Sequence, residues 1–309
     1  MSAEILRHAC LACGGSCHGV QVPVLGEEER ARILRLGAEL GVPDPVVANH
    51  LRWTDGHCVF LDEARRCTLH SRFGGESKPR LCQQYPLIVV RADGELRVGV
   101  DPTCYTAVQT WRDGPELPEG AAVASRIDLP PDQQAWEARF LDQVEEPDAS
   151  VARLLGLLTG QASVDGGLPA GFAGRWISVL REAKLQDFSA EMGAFPAALL
   201  GPLLDHSLTL DPASPPPWPA LGPEAEAWAI EATRRIVWLR MGHLVVPSVP
   251  AMAILLLSGA VSCGWAAKDL QQFGAYFAVW IRALRFTEFV RRLIPDGRTL
   301  GWLATGLGR

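Results

Sequence analysis

The chain has 309 residues, of which 48% are hydrophobic and 21% are charged. This composition is that of a globular protein with a real core, and it excludes disordered and collagen-like chains. The net charge of −6, the pI near 5.7 and the lack of a basic stripe exclude a general affinity for nucleic acid, because phosphate binding needs clustered Lys and Arg. At roughly 100–200 residues per domain, the length favours two domains.

The first residues, MSAEILRHACLACGG, lack the charged start and the apolar run of about 7–15 residues that mark a secretory signal. We therefore expect a cytoplasmic protein. In that reducing compartment, the eight cysteines predict metal binding or redox chemistry rather than disulfides.

The part of the chain that is rich in cysteine, from residue 10 to residue 104, is predicted to contain short extended pieces around one helix. QVPVL, residues 21–25, is expected to be extended, and GEEERARILRLGAELG, residues 26–41, carries acidic residues in its first turn and apolar positions at helical spacing. LIVVRADGELRVGV, residues 87–100, predicts a hairpin, because two β-branched runs flank Asp93-Gly94.

From about residue 113 the composition changes to helical patterns, predicted over residues 131–145, 148–159, 171–200 with interruptions, 223–241, 250–267 and 269–293. DPASPPPWP, residues 211–219, predicts a loop, because no helix or central strand accommodates so many prolines. Eight of the ten tryptophans follow residue 113, and we expect them to fill the spaces between packed helices.

The longest stretch without charge, residues 244–267, raises the question of a membrane span. Pro247 and Pro250 interrupt its start, and serine, glycine and cysteine follow as far as Ala267. We therefore predict a buried core helix and no membrane span.

The fold class predicted for the whole chain is α+β. A small, irregular, cysteine-rich metal-binding module with short strands and a hairpin is expected over residues 1–112, and a mostly α-helical domain over residues 113–309.

The cysteine spacing is Cys10-x2-Cys13-x3-Cys17 on a glycine-rich segment, followed by four more widely spaced cysteines. Closely spaced cysteines on a flexible, glycine-rich segment can direct their thiols to one inorganic centre. Nearby hydrogen-bond donors can offset the negative charge of the thiolates. The alternative is a set of unliganded thiols, which would invite oxidation with no gain in packing. The predicted metal ligands are Cys10, Cys13, Cys17, Cys58, Cys67, Cys82 and Cys104. Basic residues that can offset their charge are Arg7, His8, His18, Arg65, Arg66, Lys78 and Arg80.

These blocks resemble the YkgJ-type cysteine-cluster family of zinc- or iron-chelating proteins over roughly residues 8–105. The resemblance rests on CLACGGSCHG, on C-x-F-L at Cys58, on C-x-L-H at Cys67, and on KPRLCQQYP around Cys82. The family's opening motif is CxxCxxCC, and Ser16 stands where the first cysteine of the closing pair is expected. Either that position is not a ligand or this chain has one ligand fewer; His18 is a possible substitute.

The metal is less determined than the ligands. A close run of cysteines plus one distant cysteine is typical of an iron–sulfur cluster such as 4Fe-4S, whereas structural zinc commonly takes two CxxC-like pairs and this chain has one. The spacing favours the cluster slightly over zinc, and a second, incomplete centre completed by His or water is also possible. Asp62, Glu63 and Asp101 are interpreted as surface charges rather than oxygen ligands, and Cys263 as a buried packing residue.

The same pattern is distantly similar to that of flagellin lysine N-methylases, which pair a cysteine-bound cluster with S-adenosylmethionine. This similarity implies a methyltransferase that acts on protein lysine, but no glycine-rich nucleotide loop accompanies it in this chain. The other hypotheses are a non-catalytic protein that binds iron, zinc or a cluster and docks a protein partner on its helical domain, and a structural zinc protein. The residues do not identify catalytic or S-adenosylmethionine-binding positions.

Overall fold

The structure is a computed structural model, and it describes residues 6–9, 22–55, 57–117, 124–162, 167–186, 188, 194–218 and 222–306. The fold is α+β, as the sequence predicts: strands occur before residue 127, and the described residues after it form helices and loops. The predicted loop around residues 211–219 is confirmed as far as residue 218.

The described residues before the hairpin contain one long helix and several short elements. The predicted helix is confirmed as α1 (Gly26–Glu39), with three glutamates in its first turn. Two ribbons of two-residue strands follow, and then two short helices that periodicity does not predict. In chain order these elements are β1 (Val46–Val47), β2 (His50–Leu51), β3 (Trp53–Thr54), β4 (His57–Cys58), α2 (Thr68–Phe73), a 3-10 turn (Gly75–Ser77) and α3 (Arg80–Gln84).

The predicted hairpin is confirmed, with β5 (Leu87–Ala92) antiparallel to β6 (Glu95–Val100). Its two turn residues, Asp93 and Gly94, have φ of 48° and 90°, the positive values that a tight two-residue hairpin turn requires. After α4 (Ala107–Thr110), the three-residue strand β7 (Ala124–Arg126) pairs parallel with β5. Three residues carry too little pattern to predict this pairing across about 35 residues of chain.

The helices that follow are α5 (Pro131–Val144), α6 (Val151–Thr159), α7 (Phe172–Ala183), α8 (Ala194–Thr209), α9 (Pro223–Trp238), α10 (Val249–Ala266), α11 (Leu270–Ala283), α12 (Thr287–Leu293) and α13 (Gly297–Thr305). They agree with the predicted segments, with three differences: α8 continues to Thr209 beyond the predicted end at residue 200, the predicted segment 269–293 is divided into α11 and α12, and α13 was not expected. Among the described helices, only α10 is long and apolar enough to cross a membrane, and 89% of its 18-residue window is buried inside the protein. The interpretation of this segment as a core helix is confirmed.

Tryptophans fill the helical core, as predicted. Trp176, Trp228 and Trp280 are fully buried, and the indole N–H of Trp176 donates to the hydroxyl of Ser262 at 2.8 Å. A Cβ atom placed on Gly259 of α10 would lie 1.9 Å from Nε1 of Trp280. The absence of a side chain at this position is therefore what lets α11 pack so closely on α10.

In the described ranges, the buried apolar side chains form two clusters. The smaller cluster comprises Val24, Ile33, Val46, Leu51, Cys58, Phe60 and Leu69. The larger cluster runs from Val100 to Leu303, and Tyr85, Leu87 and Ile88 pack against it. The hairpin therefore packs with the helices, while the division into domains near residue 112 stays a prediction.

A buried ion network joins the hairpin to the helices. Glu137 of α5 accepts from Nη1 of Arg97 at 2.7 Å and from Nε of Arg240 at 2.8 Å. Arg240, just after α9, also donates to Asp93 in the hairpin turn. Since Arg97, Arg240 and Glu137 are almost fully buried, each charge depends on its partners for compensation.

Candidate metal centre

Four of the seven predicted ligands lie in the part of the chain that the structure describes. Cys10, Cys13 and Cys17, together with Ser16 and His18, lie outside the described residues. The five cysteines that are described, including Cys263, are thiols rather than disulfides.

Cys58, Cys67 and Cys82 all pack on the smaller apolar cluster, although 24 residues separate the first from the last. Cys58 is buried in β4 opposite Trp53, and Cys67 pairs with Leu61 immediately before α2. Cys82 is the central residue of α3. Three of the predicted ligands therefore share one small region of the fold.

Two charged side chains of α1 hold the segment that leads to Cys82. The Glu29 carboxylate accepts from the backbone N–H of Arg80 at 2.7 Å and from that of Leu25 at 2.5 Å. Arg32 donates to the carbonyls of Ser77 and Lys78 at 2.6 and 3.1 Å. These contacts fix the start of α3, and the sequence offered no reason to select either residue.

The two described stretches that border residues 10–21 are attached to different regions. On one side, the carbonyl of Ala9 accepts from the Thr106 hydroxyl at 3.2 Å, two residues after Cys104. On the other side, the Leu51 N–H donates to the carbonyl of Val22 at 2.9 Å, within the smaller cluster. The segment that carries Cys10, Cys13 and Cys17 thus connects the surroundings of Cys104 with those of Cys58, Cys67 and Cys82.

Cys104 belongs to the larger cluster, and its neighbours are polar. Its Sγ lies 3.8 Å from Nε2 of His8 and 3.3 Å from the hydroxyl of Thr106. The other ring nitrogen of His8, Nδ1, lies 3.2 Å from the hydroxyl of Thr110. Sequence reasoning selected His8 only as a residue that offsets charge and missed Thr110.

Several buried charges surround the Cys104 segment. Asp101 is only 2% exposed, so its interpretation as a surface charge is wrong: it accepts from Arg285 at 3.0 Å and from the Thr103 hydroxyl at 2.7 Å. Burial and the nearby guanidinium of Arg235 lower the pKa of His8. The neutral imidazole is thereby favoured at His8.

Three other residues considered in the sequence analysis have local structural roles. Asp62 accepts from the backbone N–H of Arg66 at 2.8 Å, which lowers the pKa of this carboxyl, and Arg7 pairs with Glu116. Cys263 is completely buried, and its thiol pKa is raised by burial, as expected for a packing residue.

Within the described ranges, no group of three or more His, Cys, Asp or Glu side chains is close enough to hold a metal ion. The thiols of Cys58, Cys67 and Cys82 are soft donors suited to zinc, iron or an iron–sulfur cluster. In the described arrangement, however, the three do not lie close enough together to share one ion. A centre at this place requires further donors from residues outside the described part of the chain.

A groove of about 470 Å³ lies elsewhere on the helical part. Its apolar wall includes Trp111 and Ile230, and its polar residues are Glu145, Glu146, Glu226, Glu231 and Arg234. Four carboxylates against one guanidinium make the groove acidic.

Comparisons with protein-family models, curated proteins and solved structures find no match for this chain.

Proposed function

We propose that this protein binds a metal centre through clustered cysteines and that the centre is an iron–sulfur cluster, with iron or zinc alone as the alternative. The proposed ligands come from Cys10, Cys13, Cys17, Cys58, Cys67, Cys82 and Cys104, in keeping with the resemblance to the YkgJ-type family. We propose a cytoplasmic location, where thiols stay reduced and available to a metal.

The observation that carries this proposal is the gathering of Cys58, Cys67 and Cys82 on one apolar cluster. Val22, which directly follows the segment with the three closely spaced cysteines, is hydrogen-bonded to the same cluster through Leu51. Thiolates at such a site would supply the soft donors that iron–sulfur clusters and zinc both take.

Anaerobic purification followed by visible absorption and metal analysis tests the proposal. Brown protein containing iron and acid-labile sulfide is expected, and colourless protein with stoichiometric zinc would replace the cluster by a zinc site. Protein with neither metal nor sulfide, and no uptake on anaerobic reconstitution, would contradict the proposal.

Single substitutions of Cys58, Cys67 and Cys82 by Ser are expected to lower iron and sulfide content several-fold. Cys263→Ala is the matched control, because this thiol is enclosed in the helical core. Equal metal content in all four variants would rule out Cys58, Cys67 and Cys82 as ligands.

Glu29→Gln tests whether α1 positions Cys82. The N–H groups of Arg80 and Leu25 donate to different oxygens of Glu29, and in Gln an NH2 group that cannot accept replaces one of these oxygens. The start of α3 should therefore loosen, and metal affinity should fall by about 10-fold for a supporting residue. Glu28→Gln, on the exposed side of the same helix, should leave the affinity unchanged.

The acidic groove favours a second candidate function, a methyltransferase that depends on the cluster and on S-adenosylmethionine and acts on protein lysine. Glu145, Glu146 and Glu226 offer carboxylates to an ammonium group, and Trp111 offers an aromatic face. The guanidinium of Arg112 lies 4.4 Å from the centre of the Trp111 ring, so a substrate ammonium would have to replace it on that face.

Calorimetric titration with S-adenosylmethionine and a methyl-transfer assay on lysine-containing protein separate the two candidates. An enzyme should bind the methyl donor, and Glu145→Gln with Glu146→Gln should raise the KM for the lysine substrate. If the metal-loaded protein does not bind S-adenosylmethionine, the enzyme hypothesis fails and the metal-binding proposal stands.

A further inference from the structure

His8 is fixed at both its backbone and its ring. Its N–H donates to the carbonyl of Pro115 at 3.0 Å. A Cβ atom on Gly114 would lie 2.5 Å from the carbonyl oxygen of Thr110 and 3.2 Å from the His8 backbone, so the close approach of these segments requires glycine at this position. The side chain is 5% exposed, and its two ring nitrogens face Thr110 and Cys104.

The hydrogen bonds of Thr110 assign the tautomer of His8. The Thr110 hydroxyl donates its single proton to the carbonyl of Thr106 at 2.9 Å, and a carbonyl can only accept. The Thr110 oxygen is therefore the acceptor in its 3.2 Å contact with Nδ1 of His8, which carries the proton. In the neutral ring this leaves the lone pair of Nε2 directed towards Cys104.

The separation of the two donors suits a metal between them. For zinc with bonds of about 2.3 Å to sulfur and about 2.0–2.1 Å to nitrogen, a tetrahedral angle places the donors about 3.6 Å apart. In the structure, Sγ of Cys104 and Nε2 of His8 are 3.8 Å apart. Only small movements of two buried side chains would bring both onto one ion.

Charged groups lie near this pair of residues. Arg235 is buried near His8, and Arg282 lies with its guanidinium 6.0 Å from the ring centre of Tyr105, the residue after Cys104. Glu231 pairs with Arg235, so a carboxylate balances the guanidinium charge next to His8.

We propose that His8 and Cys104 are two ligands of a separate centre for a borderline metal ion such as zinc, held by Nε2 and Sγ, with Thr110 positioning the imidazole. Two tetrahedral positions remain for water or further donors. This inference goes beyond the centre proposed above, because it adds a nitrogen donor and assigns Cys104 to a centre distinct from that of Cys58, Cys67 and Cys82.

Anaerobic titration of the full chain with cobalt(II) tests the inference through the number of bound equivalents. His8→Gln and Cys104→Ser should each bind one cobalt ion fewer than the unaltered chain. The double variant should show no greater loss than either single variant. His206→Gln and Cys263→Ala are the matched controls and should bind as the unaltered chain does. X-ray absorption of the zinc form should show a nitrogen donor that His8→Gln removes.

Thr110→Val keeps the side-chain volume and removes the acceptor for Nδ1–H, so it should weaken cobalt binding at this centre by about 10–100-fold without removing a ligand. Circular dichroism of each variant checks that it is folded. Cobalt binding by folded Thr110→Val and His8→Gln that matches the unaltered chain would overturn the inference.

The two proposals fail in different ways. Two centres are indicated if Cys58→Ser and His8→Gln each bind less cobalt and the double variant shows the sum of the two losses. Independent sites give additive effects. If Cys58→Ser changes nothing while His8→Gln still removes one equivalent, the cysteine-cluster proposal fails and the His8–Cys104 centre stands. The opposite result leaves only the cysteine cluster.

Discussion

The smaller apolar cluster, built from residues 24–69, differs from the larger one in what stabilises it. Among the described residues it has seven buried side chains, its strands are two residues long, and its helices α2 and α3 have six and five residues. The larger cluster contains three fully buried tryptophans and the almost wholly buried α10. A region of about 60 residues is marginal by burial alone, and small regions of this kind commonly use a metal. The larger cluster buries many more apolar side chains in the described part of the chain.

Removal of the metal should have the largest effect of all the changes considered, and it should destabilise the smaller cluster but not the larger one. Binding of zinc by cysteine ligands contributes about 10–16 kcal/mol of apparent free energy in small metal-dependent folds. A chelator should therefore abolish hydrogen-exchange protection in α1 and around β1–β4 while α10 and α11 stay protected. Simultaneous loss of protection in α10 would show that the two regions fold as one unit.

Glu137→Ala tests the charge network that joins the hairpin to the helices. The substitution leaves Arg97 and Arg240 buried without their shared carboxylate, and breaking a buried pair in this way costs about 3–5 kcal/mol. Chemical denaturation should show this loss. Glu288→Gln, on the more exposed helix α12, is the control and should change little.

Gly259→Ala and Gly201→Ala should have effects of opposite sign. At Gly259 the new methyl group meets the Trp280 indole, and overpacking of this kind costs about 1–3 kcal/mol. At Gly201 in α8 no atom lies within 4 Å, so alanine should stabilise the helix by about 0.4–1 kcal/mol. Thermal unfolding of the two variants measures both effects, and destabilisation by Gly201→Ala would contradict the open space found around Gly201.

The smallest expected effect is the pH dependence from Asp93. The hydrogen bond from Arg240 lowers the pKa of this carboxyl, so its stabilising contribution is complete above the ordinary aspartate pKa and is lost as the pH falls through the lowered value. Because Asp93 is partly exposed, the contribution is about 1 kcal/mol or less. The difference in stability between the unaltered chain and Asp93→Asn should therefore begin to shrink near the ordinary aspartate pKa of about 3.9 and disappear only below the lowered pKa. A gap that stays constant with pH would show that the Asp93 charge contributes nothing.

Local patterns predicted the elements that depend on neighbouring residues. Helix α1 follows from its apolar spacing and its acidic first turn, and the hairpin from Asp93-Gly94, where two positive φ angles suit Gly and are tolerated by Asp. The buried state of α10 follows from prolines at its start and polar residues within it. Strand β7 and the short helices α2–α4 were missed, since they depend on partners far along the chain.

By itself, the sequence determined the fold class, the long helices, the hairpin turn and the concentration of thiols before residue 105, because these are properties of periodicity and composition. Only the tertiary structure decided that Cys58, Cys67 and Cys82 share one cluster and that Cys104 faces His8. The same holds for Asp101, whose burial depends on Arg285, 184 residues away. The physical reason is that a residue's neighbours in space are set by chain reversal and packing, which local spacing does not record.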